Sequence, residues 1–425
     1  MTTANSPARV ATASFIGTAI EFFDFYVFAT AAALVIGPTF FPKESSSAQT
    51  LNAFITFGIA FLARPVGSAL FGHFGDRVGR KTTLVATLLV MGISTTLIGL
   101  LPGYDSIGML APILLCVLRF GQGLGLGGEW GGAALLVAEN APEGKRGWFG
   151  MFPQMGPSVG FLCANGLFVL LATGLNDGQF KSWGWRIPFI FSAVLVVVGL
   201  VVRLKLNEST IFTETQRKSQ TANRTPVPIL ALFQRHSKLV LQGSLAMVVC
   251  YALFYIATVF SLSYGVNTLH ISKQEFLNLL CIAVFFMALA TPLSAWASDR
   301  WGRRPVLILG SALACASGFC MAPLLGGGTV WQIGLFLAIE LFLMGFTFGP
   351  MGALLPEIFP TEVRYTGASL SYNIGGIIGA SIAPFVAQML VGYGGLPCVG
   401  YYVSGAALIS LLAVVSMQET RHLSL

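Results

Sequence analysis

The chain has 425 residues, of which 55% are hydrophobic and only 10% are Asp, Glu, Lys or Arg. Soluble globular domains carry about 25% charged residues, so this composition excludes a soluble enzyme and a disordered protein. The net charge of +7 is spread over short loops rather than along one basic stripe, which argues against nucleic-acid binding. These numbers predict a polytopic membrane protein.

Twelve apolar stretches are long enough to cross a bilayer, which takes roughly 20 residues. In chain order they lie at approximately 10–36, 50–71, 82–101, 107–137, 148–174, 187–202, 239–263, 275–297, 305–325, 330–355, 366–391 and 399–417. The polar segment between the sixth and seventh stretches holds seven Lys or Arg residues. We therefore expect an all-α membrane protein with two six-helix bundles, 1–202 and 239–425, joined by a linker at 203–238.

The basic residues also predict the orientation, because Lys and Arg accumulate in cytoplasmic loops. With the N-terminus inside, 18 of them fall in cytoplasmic segments and four in outer loops. Both termini are therefore expected in the cytoplasm. The seven cysteines show no disulfide or metal-ligand spacing, and no nucleophile–base pair or cofactor loop is visible. The sequence predicts neither a metal site, nor a cofactor, nor an enzyme.

Two motifs recur at equivalent places in the two halves. The segment GHFGDRVGRK at 72–81 returns as AWASDRWGRR at 295–304, and Glu139-x-x-Pro142-x-x-x-Arg146 returns as Glu357-x-x-Pro360-x-x-x-Arg364. Such internal duplication is typical of secondary transporters, whose substrate site lies between two halves that rock against each other.

The first of these motifs resembles the signature of the major facilitator superfamily. Further stretches resemble its metabolite:proton symporter family, which includes carriers for shikimate, 2-oxoglutarate, citrate and proline/betaine. They are GTAIEFFDFY at 17–26, Arg64-Pro65, the run from Arg119 to Gly132, WGWRIP at 183–188 and PEIFPTEVR at 356–364. The strongest likeness is to an enterobacterial inner-membrane metabolite carrier. The resemblance implies the twelve-helix major facilitator fold, a bacterial cytoplasmic membrane and a monomer.

Ionisable side chains at membrane depth are costly, at least about 2.5 kcal/mol each, and so are rarely without a role. They are Glu21, Asp24, Arg64, Arg119, Glu129 and Glu340. Glu21 and Asp24 share one helix face and would repel each other if both were ionised, which suits a proton carrier. We expect proton coupling at these two residues and at Glu340. The alternative is a buried ion pair between one of the carboxylates and Arg64.

Arg119 lies near the middle of the fourth stretch with Gln122 on the same face. Its guanidinium offers a bidentate fork to a carboxylate. By resemblance it serves substrate binding or proton coupling, and a permanent pair with a buried acid such as Glu340 is the alternative. Four further residues are candidate substrate ligands, although packing would explain them as well: Tyr251, Tyr255, Tyr372 and Asn373.

The repeated motifs place charges of both signs at the cytoplasmic helix ends, where they can hold an inner gate shut. The expected gating residues are Asp76, Arg77, Arg80, Glu129, Glu139, Arg146, Asp299, Arg300, Arg303, Glu357 and Arg364. Basic anchors and helix caps are the alternatives for some of them.

These features together predict a proton-driven symporter that imports a small polar metabolite, with an organic acid favoured. Its partners are then the substrate, protons and the lipid bilayer. A proline/betaine symporter is the first alternative. A proton-coupled exporter is the second, suggested by Gly156-Pro157-x-x-Gly160. A sensor that transports nothing is disfavoured by the complete set of transport motifs.

Overall fold

The computed structural model describes the backbone of residues 7–43, 45–78, 80–204, 228–360 and 363–423. Within these ranges it describes all side chains except those of residues 9, 72–84, 136 and 202–231. All regular secondary structure in these ranges is helical. The helices that match the predicted spans are α1 (Val10–Phe40), α2 (Ser46–Phe71), α3 (Arg80–Leu100), α4 (Leu110–Asn140), α5 (Arg146–Gly174), α6 (Gly184–Val201), α7 (Ser237–Asn267), α8 (Lys273–Trp301), α9 (Arg303–Leu325), α10 (Val330–Glu357), α11 (Arg364–Gly394) and α12 (Leu396–Val415).

The predicted all-α architecture is confirmed. Among the described residues, eleven helices are long and apolar enough to cross a membrane, and the described part of α3, Val85–Leu100, is a shorter apolar helix. Within the predicted linker 203–238, residues 205–227 lie outside the described part, and a short helix at Pro228–Arg235 precedes α7. The proposed division into 1–202 and 239–425 stays a prediction.

Three of the helices contain a turn of π-helix where the two halves meet. These turns are Ala32–Ile36 in α1, Ile256–Phe260 in α7 and Ile377–Ser381 in α11. The turns in α1 and α7 pack against each other. The third packs on α2, where the Ser381 hydroxyl donates to the carbonyl oxygen of Gly58 (3.2 Å). Such turns interrupt the regular hydrogen-bond ladder and are frequent at functional sites.

Glycines let α4 approach α2 more closely than any other residue would allow. A Cβ added to Gly123 would lie 2.1 Å from the carbonyl oxygen of Ala60, and one added to Gly127 would lie 2.0 Å from that of Arg64. Small residues at helix contacts are characteristic of membrane bundles. The glycine-rich segment of α4 is therefore a packing surface that presses it onto α2.

Replacing Gly123 with alanine is expected to destabilise the protein, because the new methyl group would force α2 and α4 apart. Overpacking of this kind costs about 1–3 kcal/mol. Thermal unfolding of the purified protein in detergent would measure the loss. The matched control is Gly405→Ala on α12, where no atom lies within 4 Å of the added Cβ. Equal melting temperatures for the two variants would contradict the packing role.

Candidate transport site and its closure

A small cavity of about 10 Å³, room for roughly one water molecule, lies between the two halves, near the middle of the bundle. The first half contributes Phe22, Tyr26 and Pro157 to its wall. The second half contributes Cys250, Tyr251, Phe254, Tyr255, Met344, Phe348 and Tyr372. Three of the four predicted substrate ligands on α7 and α11 therefore line this cavity. Because both halves form it, movement of one against the other would open it.

Trp130 on α4 closes the cavity on one side by stacking on Tyr372 of α11. The two ring centroids are 3.9 Å apart and the planes differ by 10°. The Trp130 indole nitrogen donates to Gln154 Oε1 (3.0 Å), and Gln154 Nε2 donates to the carbonyl oxygen of Phe348 (3.0 Å). Sequence reasoning missed Trp130 and Gln154. The only signal was a tryptophan inside the glycine-rich run, which looks identical to a packing residue.

Asn373, predicted to bind substrate, instead contacts the first half. Its amide nitrogen donates to Ser68 Oγ of α2 (2.9 Å). About two helical turns before Asn373, the Tyr365 hydroxyl donates to the carbonyl oxygen of Gly128 on α4 (2.8 Å). The prediction placed Asn373 in the binding site because it follows Tyr372, but neighbours in a helix point about 100° apart. In this conformation Asn373 joins the two halves.

Asp24 is linked to Arg119 through two intervening side chains. Arg119 Nη1 donates to Gln122 Oε1 (2.6 Å), and Gln122 Nε2 donates to Thr95 Oγ1 (2.7 Å). The Thr95 hydroxyl has one proton for two acceptors, Asp24 Oδ2 (3.4 Å) and the carbonyl oxygen of Met91 (2.9 Å). Asp24, Thr95, Gln122 and Arg119, which we call the α1–α4 relay, are all buried.

Arg119 is fully satisfied inside the first half. Its Nη2 donates to the carbonyl oxygen of Phe57 (2.9 Å), its Nε to that of Thr56 (3.4 Å), and its guanidinium lies 3.8 Å from the ring centroid of Phe28. Among the described residues no carboxylate forms an ion pair with it. The alternative considered for Arg119, a pair with Glu340 across the cavity, is therefore absent from the described part of this structure.

Glu340 lies inside the second half, away from the cavity wall. It is 0% exposed, and neither carboxylate oxygen has a hydrogen-bond partner in the part of the chain that the structure describes. Ser317 of α9 is its nearest polar neighbour. Equal depth along two pseudo-equivalent helices suggested that Glu340 could face Arg119, but its polar neighbour in this structure is Ser317 of α9.

Arg64 is held by aromatic rings rather than by the predicted ion pair. Its guanidinium lies 4.1 Å from the ring centroid of Phe61 and 4.5 Å from that of Phe25. None of the ion pairs among the described residues joins it to a carboxylate, and the two rings cover the faces of the cation. Glu21 is buried and lies near Asp24 and Tyr372, between the α1–α4 relay and the cavity.

A charge cluster joins the two halves at the end of the bundle that carries the basic loops, which we call the basic end. Asp299 accepts hydrogen bonds from the backbone N–H groups of Gly147 and Trp148 (2.8 Å each), in the first turn of α5. Arg303 bridges Asp299 (2.6 Å) and Glu357 (3.1 and 3.2 Å). A carboxylate at a helix N-terminus satisfies free amides and the helix dipole. We call these groups the latch.

The segment after α12 reinforces the latch. Thr420 donates to Glu357 Oε2 (2.7 Å), and Arg146 of α5 lies 3.9 Å from the other oxygen of the same carboxylate. Glu419 accepts from the backbone N–H groups at the start of α9, including that of Arg303 (2.9 Å). Burial would raise the pKa of Glu419, but four backbone N–H donors outweigh it and lower the pKa below the ordinary value. The carboxylate therefore stays ionised and holds this segment in place.

The other predicted gating residues that the structure describes have different neighbours. Arg300 stacks on Trp296 of its own helix (5.6 Å), and Arg364 Nε donates to the carbonyl oxygen of Phe359 (3.2 Å). Exposed Glu139 is an electrostatic neighbour of Arg364, and buried Glu129 lies at a break in α4. The first-copy residues Asp76, Arg77 and Arg80 fall among the side chains outside the described part.

The opposite end of the bundle is also closed across the two halves. Lys273 at the start of α8 forms an ion pair with Asp177, between α5 and α6 (2.8 Å), and lies 5.0 Å from the ring centroid of Phe180. The hydrogen bond and charge of Lys273 lower the pKa of Asp177. This pair was not anticipated, since two isolated loop charges carry no sequence signal. With contacts at both ends, the structure encloses the cavity. The described residues contain no group of three or more His, Cys, Asp or Glu placed to hold a metal.

Comparison with known proteins agrees with this architecture. The model of the Major Facilitator Superfamily matches residues 14–370 and again 245–424. The chain is 52% identical to the inner membrane metabolite transport protein YhjE of Escherichia coli K12 (99% of this chain, 96% of the relative) and 39% identical to the shikimate transporter of that strain (97% and 95%).

A third relative, the Escherichia coli K12 proline/betaine transporter, is 33% identical over 97% of this chain and 84% of its own length. Among solved structures, the proton:xylose symporter XylE bound to 6-bromo-6-deoxy-D-glucose superimposes with a TM-score of 0.74 over 97% of this chain and 96% of XylE. That pair is only 16% identical, so the likeness concerns the fold. The chain belongs to the Major Facilitator Superfamily and is a multi-pass membrane transport protein, not an enzyme.

Proposed function

We propose that the protein is a proton-driven symporter that imports a small organic acid by alternating access. The observation that carries this proposal is the α1–α4 relay, which holds a buried carboxylate on α1, the helix that contributes Phe22 and Tyr26 to the cavity wall. Asp24 lies between Phe22 and Tyr26 on α1, and both of these line the cavity. A proton arriving at Asp24 therefore changes the charge of the helix that contacts the substrate.

The burial of Asp24 favours the protonated, neutral form of its carboxyl group. The side chain is 1% exposed, and its Oδ1 has no hydrogen-bond partner in the described part of the chain. An ionised carboxylate is poorly tolerated in such a place unless it is paired. We infer that Asp24 is neutral in the closed carrier and ionised when an opening admits water. The bilayer would be a bacterial cytoplasmic membrane, with the basic end inside and the carrier monomeric.

A proline/betaine carrier remains the second candidate, and one observation favours it. The cavity is lined mainly by aromatic rings, which bind quaternary ammonium groups through cation–π contacts. An exporter would instead exchange an inward-moving proton for an outward-moving substrate.

Uptake into proteoliposomes with an imposed inward proton gradient tests the proposal. The panel contains radiolabelled shikimate, 2-oxoglutarate, citrate, malate, proline and betaine. We expect accumulation of an organic acid that a protonophore abolishes. Accumulation of proline or betaine alone would favour the second candidate. Uptake that ignores the gradient, or counterflow that runs only outward, would contradict symport.

Arg119→Ala is expected to lower gradient-driven uptake at least about tenfold, because Gln122 and two buried carbonyl oxygens lose their donor. Initial rates of uptake with the accumulated substrate measure the loss. The matched control is Arg186→Ala, which removes another arginine that donates to two carbonyl oxygens, those of Gly99 and Leu101, far from the cavity. Normal uptake by Arg119→Ala would remove it from the coupling machinery.

A further inference from the structure

We propose that Arg64, together with the hydroxyl of Tyr251, is the carboxylate-binding subsite of the central cavity. The inference rests on the proposed function in one respect, that the cavity holds the transported acid. It assigns Arg64 a role different from that of Arg119.

Arg64 is a buried cation with hydrogen-bond donors to spare. It is 1% exposed, yet its Nε and Nη2 have no hydrogen-bond partner in the described part of the chain. Nearly all buried polar groups in proteins are paired, so two such nitrogens on one side chain require an explanation. Nε–H and Nη2–H lie along the same edge of the guanidinium, and that edge receives the two oxygens of a carboxylate.

Arg64 lies next to the tyrosines of the cavity wall. Its charge acts on Tyr26, Tyr251, Tyr255 and Tyr372, and the Tyr255 hydroxyl is within hydrogen-bonding reach of it. The Tyr251 hydroxyl lies beside that of Tyr372 and has no other hydrogen-bond partner among the described residues. Phe25 and Phe61 cover the guanidinium faces and hold the plane in place. Two N–H donors of Arg64 without an acceptor and the Tyr251 hydroxyl therefore lie close to a space that both halves line.

The contrast with Arg119 decides which arginine serves the substrate. Arg64 and Arg119 are both buried, on neighbouring helices. The three guanidinium nitrogens of Arg119 donate to Gln122 and to the carbonyl oxygens of Thr56 and Phe57. A substrate carboxylate at Arg119 would have to displace these bonds. At Arg64 it would satisfy donors that are otherwise unpaired.

The cavity wall indicates the rest of the ligand. Its described lining is aromatic and apolar apart from tyrosine hydroxyls and one thiol, so Arg64 next to it is the cation that the described residues bring near this space. A dicarboxylate would leave one charge unmatched. The site therefore fits one carboxylate on a compact body, either a ring or a quaternary ammonium group, which both pack well on aromatic faces.

Equilibrium binding to the detergent-purified protein, with no proton gradient, tests this subsite. The probes are two matched pairs, shikimate with its methyl ester and glycine betaine with choline, so that each pair differs at the carboxylate. We expect wild type to prefer the acid in one pair by at least about tenfold, and Arg64→Gln to reduce that preference to near unity. Arg186→Gln, which removes an arginine stacked on Trp185 outside the cavity, should keep the preference.

The pair that responds identifies the body of the ligand as a ring or a quaternary ammonium group. The proposal is overturned if folded Arg64→Gln keeps the preference, or if wild type binds none of the probes. If Arg64→Gln does not yield folded protein, Arg64→Lys decides, because it keeps the charge and loses the fork: an unchanged preference would overturn the bidentate subsite. Carboxylate binding through Arg64 without gradient-driven uptake would support the subsite and contradict symport.

Discussion

Arg303→Ala is expected to reduce transport at least about tenfold by breaking the latch. Its removal leaves Asp299 and the fully buried carboxylate of Glu357 without their shared cation. Breaking a buried ion pair by deleting one partner costs about 3–5 kcal/mol. The closed basic end would lose that stabilisation, and the carrier would stay open on this side instead of cycling.

Two measurements check the latch. The first is the initial rate of gradient-driven uptake. The second is hydrogen–deuterium exchange at Gly147 and Trp148, whose amides bind Asp299 and should exchange faster in Arg303→Ala. Arg300→Ala is the matched control, since this exposed arginine lies three residues away in the same motif and stacks only on Trp296. Unchanged exchange together with normal uptake in Arg303→Ala would show that the latch does not gate transport.

Asp24→Asn is expected to separate substrate movement from the proton gradient. Asparagine has nearly the same shape and still accepts a hydrogen bond from Thr95, but it cannot release a proton. Accumulation driven by an inward proton gradient should fall at least about tenfold. Exchange of labelled for unlabelled substrate across the membrane, which needs no net proton movement, should persist.

Parallel measurements on Glu340→Gln distinguish the two buried carboxylates. Glu340 contacts neither the cavity nor the α1–α4 relay, so its amide variant is expected to keep gradient-driven accumulation. If Glu340→Gln abolished accumulation while Asp24→Asn retained it, the proton site would have to be assigned to the second half. Glu21, which lies between Asp24 and Tyr372, is tested by Glu21→Gln in the same assay.

Much of the fold follows from local properties of the sequence. A helix that spans the membrane needs a run of about 20 apolar residues, and such runs can be counted in the sequence. Internal duplication is visible because the same motifs recur with the same spacing. The apolar stretch predicted at 82–101, for example, agrees with α3 at Arg80–Leu100. The same reasoning found Asp299, Arg303 and Glu357 as gating charges, because motif copies at helix ends are conspicuous.

The partners of these charges depend on tertiary structure. That Asp299 binds the first turn of α5 requires helices from both halves to meet at one place, and no spacing within a motif encodes this. Trp130 shows the same limit, since its stacking on Tyr372 joins residues far apart in the chain.

The sequence by itself determined that this is a twelve-helix transporter with six ionisable residues at membrane depth, because hydropathy and the cost of burying charge are properties of residue types. Only the tertiary structure decided what each charge does. Arg64 and Arg119 look equivalent as isolated residues in apolar helices, yet one has donors without an acceptor beside the cavity and the other has donors that are all engaged. Hydrogen-bond satisfaction is set by the rotation of each helix against its neighbours, and that rotation is fixed by packing across the whole bundle.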